Sequence, residues 1–461
     1  MPFIPHTEQE IAAMLATIDV PHIETLFNEI PNSLRIRSDV LSSIPDGMTE
    51  LALTRLAKER ASQDGELLCF IGAGAYEHYI PAAVWEIANR GEYMTAYTPY
   101  QAEASQGSLQ LIYEYQTMMA SLMGMEVSNA SLYDGATALT EAILMAVRCS
   151  QKKDRVSVLI PKAIHPFYRQ TVQTIISEQG IVLIEVPFQE ETGQIDISLL
   201  DQYRTDDCVA FVIPQPNFFG IFERVDELSD WALAHNLLTI GLVNPMAMAL
   251  LKPPGMWGSK GVDIACGEGQ SLGIPLSGGG PYYGILTCKK NLVRQMPGRI
   301  VGRTVDLEGK EGFVLTLQAR EQHIRRGKAT SNICTNQGLM VTASTIYMSL
   351  MGPQGLRQIA KLNHQQSRLL LEELTAIKGV SVPFSAPFFN EVVIRIPTSA
   401  SQLLEDLAKF NIQGGFALNQ VYPELGECIL ICATETKTQA DIKKIAHYIR
   451  KLLPGEHVAC L

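Results

Sequence analysis

The chain has 461 residues, 46% of them apolar, a mean hydropathy of +0.08 and a net charge of −11 with a pI near 5.4. The length allows roughly three domains of about 150 residues each. The excess of carboxylates without a long basic stripe excludes a nucleic-acid partner, and no run approaches the ~18 apolar residues of a membrane span.

The first residues, Met1-Pro-Phe-Ile-Pro-His6, have neither a basic n-region nor an apolar h-region, so a cytoplasmic protein is expected. Thr7 and Glu10 form a capping-box pair ahead of a helix over Ile11–Ile18, and a second helix is expected over His22–Glu29. Residues 1–68 thus read as a helical arm. From residue 69 short apolar strands alternate with helices: Arg155–Pro161, Ile181–Pro187, Cys208–Pro214, Leu237–Val243, Val262–Cys266 and Tyr283–Cys288, with helices over Phe167–Glu178 and Asp226–Ala234. This predicts an α/β domain over 69–320 with a mainly parallel sheet covered on both faces. Ligands meet such sheets at the carboxyl ends of the strands, here Tyr133–Thr137, Gln215–Gly220, Val243–Pro245 and Gly267–Gln270. Met296–Lys310, rich in Gly and charge, reads as an exposed excursion.

A long helix over Asn336–Leu374, broken at Gly352-Pro353, opens the last third. The strand Glu391–Pro397, a helix over Ser401–Lys409, the strand Cys428–Ala433 and a helix over Thr438–Leu452 follow, a smaller α+β domain over 321–461. Nine cysteines show no metal-like spacing. They read as reduced thiols, those at Cys69, Cys208, Cys428 and Cys432 packing as small apolar groups. His78, His165, His235 and His323 also lack ligand spacing and read as core or surface residues, so no metal site is expected.

Three strand ends carry chemistry. Gly135 and Thr137, in Asp134-Gly-Ala-Thr-Ala-Leu-Thr-Glu141, open a helix whose free N–H groups and dipole suit an anion such as a cofactor phosphate. The same residues also read as an ordinary start capped by Asp134 or Thr137. The turn after Val262–Cys266 corresponds in position to the one that carries the Schiff-base lysine in aminotransferase-like pyridoxal-phosphate (PLP) enzymes. Here it offers Gln270 and Ser271, and an amide cannot form an imine. Asn244 stands where such enzymes place a carboxylate against the pyridine nitrogen, and it equally fits an Asn-Pro turn. Lys260 lies at the opposite sheet edge and Lys328 falls beyond the large domain, so neither replaces the missing amine.

Several longer stretches are more specific. Ile71-Gly-Ala-Gly-Ala-Tyr-Glu-His-Tyr-Ile-Pro81, Thr95-Ala-Tyr-Thr-Pro-Tyr-Gln101, Gln215-Pro-Asn-Phe-Phe-Gly220, Gly269-Gln-Ser-Leu-Gly-Ile-Pro275, Met296-Pro-Gly-Arg299, Gln318–Arg326 and Ala329–Gln337 together resemble the glycine cleavage system P-protein family, within it the first (α) chain of the two-subunit form. The resemblance runs in order over nearly the whole chain.

The resemblance implies a fold type I PLP-transferase-like domain in each of two α and two β chains. It implies that glycine is decarboxylated on PLP carried by a lysine of the β chain, that the aminomethyl group passes to the lipoyl arm of H-protein, and that T-protein and L-protein act in the same system. This chain is then the non-catalytic partner. Its loops 95–107 and 318–337, with Tyr97, Tyr100, Arg325, Arg326, Lys328 and Asn332, are expected to face the β chain, while Thr137, Asn244 and Gln270 mark a vestigial site. Two other readings stay open: a PLP homodimer using an unrecognised lysine, and a scaffold that binds only protein.

Overall fold

Val156–Pro161 and Cys208–Gln215 carry almost no polar side chains, and both are buried along their whole length. Runs of that kind belong inside a parallel sheet. The computed structural model describes residues 5–36, 42–65, 67–150 and 156–453. In it they are adjacent, non-edge strands of a seven-stranded sheet. The strands are β1 (Val127–Ser128), β2 (Val156–Pro161), β3 (Ile181–Val186), β4 (Cys208–Gln215), β5 (Leu238–Val243), β6 (Ile264–Glu268) and β7 (Gly284–Cys288), in the order β1-β7-β6-β5-β4-β2-β3. Pairing is parallel from β3 through β6, and β7 runs antiparallel to both β6 and β1.

Successive residues of a strand face opposite sides, and here each side has its own core. Phe211 and Ile213 join Leu159 and Ala265 beneath the helices Gln106–Met123, Val225–Ala234 and Gly338–Thr375. Ala210 and Val212 join Val158, Ile160 and Cys266 beneath the helices Gly135–Cys149 and Pro166–Ile176. The helix Gln106–Met123 follows directly on a segment that reads as loop. It buries Leu109, Ile112, Tyr115, Met119 and Met123 at helical spacing.

The expected exposed excursion at Met296–Lys310 is corrected by the structure at its start, while residues 303–310 are exposed as expected. Met296, Arg299, Ile300 and Val301 are buried, and the segment builds half of a hairpin between β8 (Ile300–Val305) and β9 (Glu311–Thr316). Side chains of the preceding helix dock it. Gln116 Nε2 donates to Val301 O and Gln116 Oε1 accepts from Val301 N, both at 2.9 Å. Gln106 bonds Phe313 in the same double fashion, at 2.8 Å each way. Each amide thus meets the hairpin as a neighbouring strand would.

Gly338–Thr375 breaks where expected. Gly352 has φ +60° and ψ −179°, because Pro353 bars the α region to the residue before it and glycine alone takes this conformation without strain. The C-terminal layer contains β10 (Glu391–Arg395), β11 (Phe416–Ala417) and β12 (Cys428–Cys432), ordered β10-β12-β11 and antiparallel. The short β11 was not anticipated. Ile442, Ile445 and Ile449 of the helix Gln439–Leu452 cover this sheet together with Leu403 and Leu407.

Contacts divide the chain into residues 1–66 and 67–461. In the first unit the Thr7–Glu10 capping box starts the helix Glu8–Thr17. The expected helix at His22–Glu29 is a 3-10 stretch over Ile23–Phe27, and a further helix covers Glu50–Asp64. None of these elements buries a residue. Among the described residues no helix is long and apolar enough to cross a membrane.

Candidate functional site

At the carboxyl ends of β4, β5 and β6 lies a cavity of about 80 Å³, lined among others by Tyr76, His165, Asn244, Glu268, Gln270 and Glu391. Gln270 and Asn244, far apart in sequence, therefore meet in one place. Gln270 is 1% exposed, and both its amide N–H donors and its amide oxygen are engaged. Its Nε2 donates to Tyr76 O and Ile274 O, and its Oε1 accepts from Tyr76 N, each at 2.8 Å. The amide acts as a peptide group and ties the segment around Tyr76 to the turn after β6. Asn244 Oδ1 accepts from Met246 N at 2.9 Å and Ala247 N at 3.4 Å, capping the turn that follows β5.

The structure separates Thr137 from these two. Its hydroxyl serves the Asp134 capping box, donating to Asp134 O and accepting from Asp134 N. Thr137 lines a different cleft, of about 420 Å³, with Glu141, Arg148 and Asn332.

Residues that spacing did not single out fill the cavity wall. Glu268, the last residue of β6, receives Gly135 N on Oε2 at 2.9 Å, and Gln270 N and Tyr283 N on Oε1 at 3.2 and 3.3 Å. Burial pushes its carboxyl up to about 8, against the pull of those N–H groups. Glu391 receives Ala73 N at 2.6 Å and the Tyr76 hydroxyl at 2.7 Å, and burial pushes it up to about 7. His165 stacks on Tyr168, with ring centroids 4.9 Å apart. Its Nδ1 accepts from Phe167 N and its Nε2–H donates to Ala73 O, while burial holds its pKa down to about 4. The Ser271 hydroxyl is buried in the wall without a hydrogen-bond partner. Among the described residues no lysine lines the cavity. Lys260 is exposed and lines a pocket with Asp263, which precedes β6 at the amino end of the sheet.

These buried groups make stability depend on pH. Glu268, Glu391 and Glu223, the last pushed up to about 7 by burial beneath Ile195 N and Asn217, all have folded values above the unfolded 4.5. Their contribution is whole below about pH 4.5 and is lost as pH rises through 7 to 8. His165, depressed from 6.5 to about 4, contributes fully above 6.5 and loses that as pH falls. From about pH 6.5 to 8 only the carboxyls among these four change, so stability is expected to drop by about 2–3 kcal/mol over that span. A melting temperature that stays flat or climbs between those values refutes this.

The second region is the pair of loops 95–107 and 318–337. Tyr97 is 88% exposed and Tyr100 partly so. Arg299, 3% exposed, holds both loops from below. It donates to the Tyr100 hydroxyl at 3.1 Å, Cys334 O at 2.8 Å, Thr335 Oγ1 at 3.1 Å and Asn336 Oδ1 at 3.4 Å, and its Nε lies 3.8 Å from Glu321. Tyr100 also packs against His323, with centroids 4.8 Å apart. Arg325, Arg326, Lys328 and Asn332 are exposed on the outer side of the second loop.

Arg326 has φ +52° and ψ −126°, a conformation suited to glycine that costs another residue about 1–3 kcal/mol. Arg326→Gly is therefore expected to raise the unfolding free energy of the isolated chain by about 1 kcal/mol. A urea midpoint that falls, or does not move, contradicts that.

Residues 1–449 match the model of the family described as glycine cleavage system P-protein. The chain is 58% identical over 452 residues, 98% of each sequence, to a protein of Nitrosospira multiformis named "Probable glycine dehydrogenase (decarboxylating) subunit 1". Among solved structures it is similar to an inhibitor-bound glycine decarboxylase (P-protein) of the glycine cleavage system. The TM-score is 0.86 and the identity 36%, over 98% of this chain and 100% of that one. It also shares its fold with a C-DES mutant holding glycine covalently linked to PLP, at TM-score 0.61 and 15% identity over 85% of this chain and 97% of that one.

Proposed function

Because the chain belongs to the glycine cleavage system P-protein family, we propose that it is the non-catalytic chain of a two-subunit glycine dehydrogenase (decarboxylating), completing the active site of the second, β chain. The complex is a cytoplasmic assembly of two chains of each kind. PLP on a β-chain lysine supplies the decarboxylation chemistry, and the aminomethyl group goes to the lipoyl arm of H-protein, in a system shared with T-protein and L-protein.

One observation supports the division of labour above all others: Gln270 occupies the turn after β6 with its amide fully engaged to Tyr76 and Ile274. The residues present are a poor match for PLP. Among the described residues no amine lines the cavity, and Asn244 has turned its acceptor to its own turn. About 80 Å³ is well under the ~300–1,000 Å³ of ordinary ligand pockets. What this chain offers a partner is a shaped surface. The loops 95–107 and 318–337, held from below by Arg299, would close the β-chain pocket and exclude water. Arg325, Arg326 and Lys328, unpaired among the described residues, would bring positive charge to it.

The test is co-expression with a β-type chain, followed by glycine-dependent exchange of labelled CO2. Activity is expected only when both chains are present, and borohydride should trap pyridoxyl on the β chain alone. Exchange by the β chain alone at the full rate, or an adduct on this chain, would overturn the reading.

A further inference from the structure

The sheet turns its own acidic side chain onto a helix start. We propose that Glu268 is a built-in occupant of the anion seat at the start of the helix Gly135–Cys149, so that the chain carries its own carboxyl where that helix would otherwise receive a phosphate group. The helix opens with main-chain N–H groups that have no partner within it, the arrangement that receives phosphates and carboxylates. Gly135 N, the first of them, donates to Glu268 Oε2, and Glu268 lines the cavity.

The carboxyl is held from three segments at once, by Gly135 N, Gln270 N and Tyr283 N. The hydrogen bonds at its two oxygens all come from main-chain N–H groups of those segments, the kind of donor a helix start offers a ligand. Asp134 and Thr137, the other polar groups at this helix end, are engaged with each other.

The seat is also physically closed. A Cβ added at Gly135 would lie 2.3 Å from the Tyr168 hydroxyl and 2.9 Å from Glu268 Cβ. A separate sign that the pocket is built for a polar occupant is Ser271, buried in the same wall with its hydroxyl unpartnered. The inference deepens the function proposed above and rests on it in one respect, that PLP does not occupy this pocket.

The experiment compares the full-length chain with Glu268→Ala by thermal melting in chloride, acetate and inorganic phosphate at equal ionic strength. Wild type is expected to melt at the same temperature in all three. The variant should melt several degrees lower in chloride and recover saturably as acetate or phosphate is added, because the three N–H groups regain an acceptor. Glu268→Gln retains one acceptor oxygen and should respond little. A Glu268→Ala chain equally low in every anion overturns the proposal. So does a wild type that gains as much as the variant, since the anions then act elsewhere.

Should the variant fail to fold, crystals of wild type soaked in sulfate decide the matter. An unoccupied helix start supports the proposal, and a sulfate at Gly135 with Glu268 displaced refutes it. Trapping of PLP on wild type by borohydride would instead sink the non-catalytic reading, an outcome distinct from any of the anion results.

Discussion

Replacing Arg299 by alanine is expected to destabilise the folded chain by about 3–5 kcal/mol, the range for breaking a buried ion pair from one side. The guanidinium lies 3.8 Å from Glu321 and donates to four groups drawn from both loops. Without it, Cys334 O loses its donor and the Glu321 carboxyl, already raised by burial, loses its main source of stabilisation. Lysine is a weak substitute, because a single ammonium cannot spread donors over Tyr100, Cys334 and Thr335 at once. Urea denaturation of the isolated chain measures the loss. In the co-expressed complex the same variant should lose glycine-dependent CO2 exchange by tenfold or more if the loops close the partner's pocket. A cost under about 1 kcal/mol, or full exchange, would show that the loops hold their shape without it.

The second large effect is expected at Gln270. Gln270→Ala leaves Tyr76 N, Tyr76 O and Ile274 O without their partners. At about 1–3 kcal/mol for each buried group left unsatisfied, with some relaxation, the chain should lose about 3–4 kcal/mol. Gln270→Lys restores an amine in position but no acceptor for Tyr76 N, and Glu268 still fills the helix start. It is expected to yield no pyridoxyl adduct after borohydride. A stable, PLP-trapping Gln270→Lys chain would mean that one substitution alone separates this pocket from a working one.

Much of the arrangement is legible in the residues. Apolar runs at 156–161, 181–186 and 208–215 locate three of the parallel strands, and the strand-end rule brings Gln270 and Asn244 to one edge, where they line one cavity. At Thr137 the capping alternative is the one realised, since its hydroxyl bonds Asp134 and the residue lines a separate cleft. Glu391 reaches Ala73 and Tyr76 across more than 300 residues, a distance over which no local period carries information. His165 reads as a plain core histidine until the fold places it against Tyr168 and Ala73. Arg299 escapes notice for a compositional reason. A Gly- and charge-rich segment looks solvated, yet buried arginine is tolerated when most of its donors are met, here by four groups on Nη1 and Nη2.

The two glutamines that dock the hairpin have a consequence for how this surface can vary. Gln106 and Gln116 hold β9 and β8 at fixed residues, so a slip of one position along either strand breaks the clasp on that strand. The outward-facing positions of the same hairpin, such as Arg303 and Val305, which are exposed, have no such tether. Substitutions there can accumulate freely, whereas an inserted or deleted residue between the two clasps would have to be matched by a compensating change elsewhere in the hairpin.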